Sequence, residues 1–243
     1  MPQPSNSDLE LPIHISAKNI TQRLIIIILF LTLTGAVSGY FFVFQFPFPS
    51  SKWFYDLFSL DEELNIPAWY SSFMLLFSAG LLAVISVIKK TDKYFKYWKN
   101  LSLIFLFMSL DEALSFHEIL IIPSLREIFN LNPIFFHTWV IFGIPTVIFF
   151  VVKYFKFFLD LPKNTQFLFF LAGTVYVSGA LGMEMLGGFF REYSGRLSMI
   201  TTIIILIEEV LEMTGIVIFI YALLNYFSSF KESINLKVYI SDK

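Results

Sequence analysis

The sequence predicts an all-α integral membrane bundle of six transmembrane helices with both termini cytoplasmic. Long apolar runs, the loop-by-loop placement of Lys and Arg, and the lack of residues left over for a soluble unit carry that prediction. Hydrophobic residues make up 56% of the 243 residues, and mean hydropathy is +0.71. A run of about 20 apolar residues crosses a hydrocarbon core of roughly 30 Å. Reading for such runs bounded by charge or proline gives spans at 20–44, 68–88, 101–122, 135–158, 167–190 and 199–227. Together they use the chain up as a single transmembrane domain, 1–243.

The first span follows Lys18 and carries Arg23 near its inner end. Its Ala36-Val37-Ser38 resembles a peptidase site, but the apolar run continues through Phe46 and a long stretch with Asp8 and Glu10 precedes it. An uncleaved helix is expected, with Gly35 and Gly39 spaced as GxxxG for close helix packing. The outer loop 47–67 mixes Asp56, Asp61, Glu62 and Glu63 with Trp53, Phe54, Tyr55, Leu57 and Phe58. That mixture predicts an amphipathic segment on the outer surface, its acids either a solvated face or a draw for cations at an outer mouth. The second span ends at the basic stretch 89–99, and the fourth contains Pro145, a kink that membrane helices tolerate. A turn from Arg191 to Arg196 joins the fifth span to the sixth.

Charge supports the count independently. With a cytoplasmic N-terminus, thirteen of the 17 Lys and Arg fall in inner segments, and only Lys52, Arg126, Arg191 and Arg196 fall in outer ones. This is the positive-inside pattern. A net charge of -2 gives no reason to expect a nucleic-acid partner. The absence of cysteine excludes disulfides, thiol catalysis and Cys-ligated metals.

The chemistry lies inside the spans. The third carries Asp111, Glu112, His117 and Glu118, the fifth Glu184, and the sixth Glu208, Glu209 and Glu212. A charge at a helix centre costs on the order of 2.5–3.5 kcal/mol, so these carboxylates must be protonated, paired, hydrated or bound to a cation. At 100° per residue, Asp111, Ser115 and Glu118 share one face of the third span, flanked by Glu112 and His117. Thr201, Glu208, Glu212 and Gly215 form a stripe on the sixth, with Glu209 beside it. Gly173, Ala180, Glu184, Gly188 and Arg191 align on the fifth. By rise along the helix, Asp111, Glu112 and Glu212 are expected near the midplane, with His117, Glu118, Glu184 and Glu208 in the outer half.

Oxygen ligands suit Ca²⁺, Mg²⁺ and Mn²⁺, and an added imidazole suits Fe, Mn or Zn. The candidate metal-holding set is therefore Asp111, Glu112, His117, Glu118, Glu184, Glu208, Glu209 and Glu212. Helix bundles build di-iron centres from such residues, but the usual pair of Glu-x-x-His motifs is absent here. Met183, Met185 and Met213 are read as packing. His117 is a ligand, a proton relay or a core histidine, whereas His137, near Trp139 at a span end, reads as interfacial. Arg191 either marks the outer interface or reaches down to Glu184.

The combination Asn65-Ile66-Pro67-Ala68-Trp69-Tyr70-Ser71-Ser72, Ser109-Leu110-Asp111-Glu112-Ala113 with His117-Glu118, and Glu208-Glu209 with Glu212-Met213 and Gly215 resembles a family of uncharacterised bacterial polytopic membrane proteins. Such proteins are sometimes loosely labelled multidrug transporters. The resemblance implies a bacterial inner-membrane location and supplies no catalytic residues. Function is expected from the intramembrane acids alone. The leading expectation is a proton-coupled carrier of a metal ion or organic cation. One alternative is a membrane metalloenzyme acting on a lipid or quinone; another is a structural or partner subunit with neutral buried carboxyls. The expected partners are the lipid bilayer and a cation or small-molecule substrate.

Overall fold

The computed structural model describes residues 16–43, 51–196 and 198–230, and among these every regular element is helical. The basic tail beyond residue 230, the prolines at 47 and 49, and the acids at 8 and 10 lie outside the described residues. The elements are α1 (Ala17–Val43), α2 (Ser51–Phe58), α3 (Ile66–Ile88), α4 (Phe95–Leu114), α5 (Pro123–Phe129), α6 (Val140–Leu159), α7 (Lys163–Val177), α8 (Glu184–Ser194) and α9 (Met199–Ser228). A 3₁₀ turn, Phe116–Leu120, follows α4. A π-helical segment, Ser178–Met183, joins α7 to α8 without a break.

Four stretches are long and apolar enough to cross a membrane: Ala17–Phe42, Ile66–Ile88, Val140–Leu159 and Lys163–Ser194. The remaining long helices, α4 and α9, carry most of the buried acids. Helix α9 is 30 residues long and carries Glu208, Glu209 and Glu212 in little more than one turn.

The chain organises around α9, which packs against α1, α3, α7 and α8. One core joins Leu24 and Ile28 of α1, Met74 and Leu75 of α3, and Met213, Ile216 and Ile220 of α9. A second core joins the N-terminal part of α4 to α6, α7 and α9 through Trp98, Tyr154, Phe157, Ala172, Phe219 and Tyr226. Helices α3 and α4 are bound by paired serines: Ser72 Oγ donates to Ser109 O at 2.7 Å, and Ser109 Oγ returns a bond to Ser72 O at 2.9 Å. In an apolar medium such bonds fix helix register.

Glycine sets the closest approach of the bundle. A Cβ on Gly215 would lie 2.7 Å from Tyr176 N, so α7 and α9 touch backbone to backbone there. A Cβ on Gly179 would lie 2.8 Å from both Glu208 O and Glu212 Cγ, which is how the π segment brings α8 against the acidic stretch of α9. The GxxxG pair of α1 divides its role: Gly39 meets Thr202 of α9, whereas Gly35 makes room for Leu60 and the carbonyl of Phe58.

Two expected boundaries are corrected. The third span was expected to run to residue 122, but α4 ends at Leu114, where Ser115 turns left-handed at φ 53°. Asp111 and Glu112 thus occupy the last turn of α4, not the middle of a longer helix. Glu118 sits on a 3₁₀ turn, outside the helical face assigned to it. The fifth span starts earlier and ends later than 167–190, running Lys163–Ser194 with the π segment inside it. Pro145 lies within α6, which continues through it from Val140 to Leu159.

Candidate functional site

A cavity of about 810 Å³ opens between α4, α6, α8 and α9 at the end of the bundle that carries the 59–65 loop. All eight sequence-predicted residues, Asp111, Glu112, His117, Glu118, Glu184, Glu208, Glu209 and Glu212, line it. Their depths follow from helix geometry. Glu208 lies nine residues into α9 and Glu184 ten residues before the end of α8, both about 15 Å from that end of the bundle. The two carboxyls approach one another across the α8–α9 interface. Glu208 is only 7% exposed, and its carboxyl stands within hydrogen-bonding reach of that of Glu184.

Glu184 is held from the other side of the cavity. Trp139 Nε1 donates to Glu184 Oε1 at 2.9 Å, and His137 Nδ1 lies 2.7 Å from the same oxygen as an off-axis ion-pair contact. Arg191 Nη1 stands 3.3 Å from His137 Nε2 and 3.8 Å from Asp61 Oδ1. Arg191 therefore does not descend to Glu184, as one sequence reading had it; His137 is interposed. His137 itself lines the cavity.

A second histidine arises from the turn after α4. Asp111 Oδ1 accepts from the backbone N–H of His117 at 2.8 Å, while Asp111 Oδ2 lies 3.2 Å from His117 Nδ1. One carboxylate thus closes the turn and aims the imidazole, a job the left-handed Ser115 makes geometrically possible. His117 Nε2 then points toward Glu63 Oε1, 3.9 Å away. The turn is tied down by Thr138, whose Oγ1 donates to Leu120 O at 2.5 Å and accepts from Ile122 N at 2.7 Å.

The 59–65 loop supplies acids for which the sequence allows either a solvated face or a draw for cations at an outer mouth. Asn65 caps α3 by accepting from Ala68 N at 3.2 Å, and its Nδ2 donates back to Ser59 O at 2.7 Å, so the loop closes on itself. Arg196 pins it from the α8–α9 turn, donating to Asp61 Oδ2 at 3.0 Å and to Glu62. Asp61 and Glu63 are turned into the cavity as a result. Burial, with Glu118 and Asp111 nearby, pushes the Glu63 carboxyl above the usual carboxylate range, although His117 opposes the shift. The only sequence signal for these two residues was their acidity beside a predicted outer mouth.

Nine carboxylates line this cavity, and Arg191 is the sole Lys or Arg among its lining residues. Among the described residues no three His, Asp or Glu side chains stand as a group able to hold a metal ion. The acids are distributed along a chamber instead of gathered at a point. That geometry gives a compact multi-ligand metal centre no support. It suits a delocalised negative field acting on a mobile or bulky cation.

No curated protein and no solved structure matches the chain. A family model described as a domain of unknown function, DUF8692, matches residues 24–227, which includes every residue of the chamber. The chain belongs to that family.

Proposed function

We propose that this protein is a multi-pass membrane carrier that binds a cation, organic or metallic, in the acidic chamber and exchanges it for protons. The observation that carries the reading is the Glu184–Glu208 pair: two buried carboxyls face each other with no Lys or Arg between them. Two carboxylates in such a place cannot both stay ionised unless a cation or a shared proton intervenes. Alternation between those two occupants is the elementary step of proton-coupled exchange. The chamber's volume falls within the roughly 300–1,000 Å³ typical of small-molecule sites.

In this reading α4 and α9 are spans as well, giving six crossings, and both termini are cytoplasmic. The thirteen-to-four split of Lys and Arg supports that orientation, with the chamber on the outer side of an inner (plasma) membrane of bacterial type. The 59–65 loop then forms the outer mouth. Reconstitution into proteoliposomes tests the function: uptake of labelled tetraethylammonium or Mn²⁺ against an imposed pH gradient. Uptake that needs the gradient and is lost in Glu208→Gln supports exchange. Tight cation binding without gradient-dependent flux of either probe would contradict a carrier.

A further inference from the structure

The chamber has an apolar half that the charge argument does not use. At the basic end of the bundle, α4 and α6 are closed by rings: Tyr94 and Trp98 meet Phe157 at centroid distances of 5.3 and 4.9 Å, and Tyr97 meets Tyr154 at 5.3 Å. Toward the acidic end the two helices part, and the cavity occupies the space between them. Leu103 and Phe107 of α4 and Phe142 and Thr146 of α6 line that space. Leu103, Phe107 and Phe142 are 54%, 60% and 46% exposed on the bundle's flank, so the cleft between them opens sideways, where a spanning helix meets lipid. A carrier for a small hydrated ion has no use for such an opening, and lipid chains would enter it.

We infer that the ligand is a cationic amphiphile: a long-chain amine or ammonium enters sideways between α4 and α6, its head group beside Glu184 and Glu208. The inference rests on the cation reading above and names its substrate class. The charge complementarity is direct, because the polar end of the cleft is a carboxylate field with a single Arg at its outer rim. Trp139 marks the junction. Its indole N–H holds Glu184, its ring lies 5.6 Å from that of His117, and it packs over Gly143 of α6, where a Cβ would lie 2.8 Å from the indole. An ammonium placed there meets two carboxyls and an aromatic wall, while its chain leaves along Phe107 and Phe142.

The test uses the full-length protein in phosphatidylcholine nanodiscs with a C12 primary alkylamine carrying a photoreactive diazirine in its chain. Adducts are expected to concentrate on Leu103, Phe107, Phe142 and Thr146. The same chain with an alcohol head group should label these positions at least tenfold less. Thr146 lies exposed in the cleft with its hydroxyl bonded back to Phe142 O, so Thr146→Trp plugs the opening at little risk to folding. That variant should lose amine labelling while still binding butylamine, which is small enough to enter from the mouth. Equal labelling by amine and alcohol, or amine adducts confined to the lipid face of α1, would overturn the lateral route. Protection by butylamine with no preference for the long chain would overturn the amphiphile and leave the cation reading intact. No response to either amine would remove both.

Discussion

The two ends of this bundle are built on opposite principles. At the basic end, Trp98 is 2% exposed and sits among Phe157, Phe169 and Tyr226, with Phe105 stacked on Phe219 at 4.5 Å just above it. The rings of this cluster pack on one another. At the acidic end the same helices enclose a chamber lined by nine carboxylates as well as by apolar side chains. One end holds the helices together and the other keeps them apart. On the proposed reading the comparison separates stability and function in space, so substitutions at the two ends should fail in different ways.

The largest effect is expected at the closed end. Trp98→Ala removes the centre of the aromatic cluster and should cost on the order of 3–5 kcal/mol, lowering the melting temperature by roughly 10 °C. Phe107→Ala, on the open cleft, should shift it by less than about 2 °C, because 60% of that side chain is already exposed. Thermal unfolding of both variants in one detergent makes the contrast; comparable losses would erase it.

Glycine sharpens the same comparison. Gly215→Ala drives a Cβ into the Tyr176 backbone and should cost about 1–3 kcal/mol by overpacking. Gly173→Ala, on the same α7–α9 pair of helices but with nothing within 4 Å, should gain about 0.5–1 kcal/mol from helix propensity. Opposite signs in chemical or thermal denaturation are the expected result.

A smaller, pH-dependent effect is expected at the mouth. Burial raises the Glu63 carboxyl, so the folded protein holds that proton more tightly than the unfolded chain does. Its contribution therefore favours the fold at acid pH and is lost as pH rises through the raised value. Glu63→Gln should leave stability unchanged near pH 5 and raise the melting temperature by about 2 °C near pH 8. A gain at acid pH instead would show the sign to be wrong. The smallest effect belongs to the basic surface. Lys93 and Asp160 pair at 2.6 Å in the open, and Asp160→Asn should move the melting temperature by less than about 1 °C.

Much of this was legible in the sequence. Apolar runs located α1, α3 and α6 to within a few residues, and the cost of burying charge singled out seven of the nine chamber acids, with His117. What failed was the geometry between them. A left-handed Ser115 has no sequence signature, so α4 was carried on to 122 and Glu118 was placed on a helical face it does not share. The π segment adds a residue to one turn, shifting the register of Glu184 and Arg191 against Gly173 in a way that 100° steps cannot anticipate. The inward placement of Glu63 and His137 is not legible in the sequence, because the contacts that turn them inward, Asn65 to Ser59 and Arg191 to His137, span loops whose closure only the folded chain shows.

The most direct test of the central claim is the affinity of purified protein for butylammonium and Mn²⁺ at pH 8 and pH 5.5, comparing the parent with Glu208→Gln and Glu118→Gln. Glutamine keeps the volume and hydrogen-bonding reach of glutamate but carries neither charge nor exchangeable acid proton. The account predicts that the parent binds at least one of the cations and binds it more weakly at pH 5.5, as protons compete for the carboxyls. It further predicts that Glu208→Gln loses tenfold or more, and that Glu118→Gln, exposed at the rim, loses only a few-fold. A parent that binds either cation with an affinity and pH dependence unchanged in Glu208→Gln would contradict it.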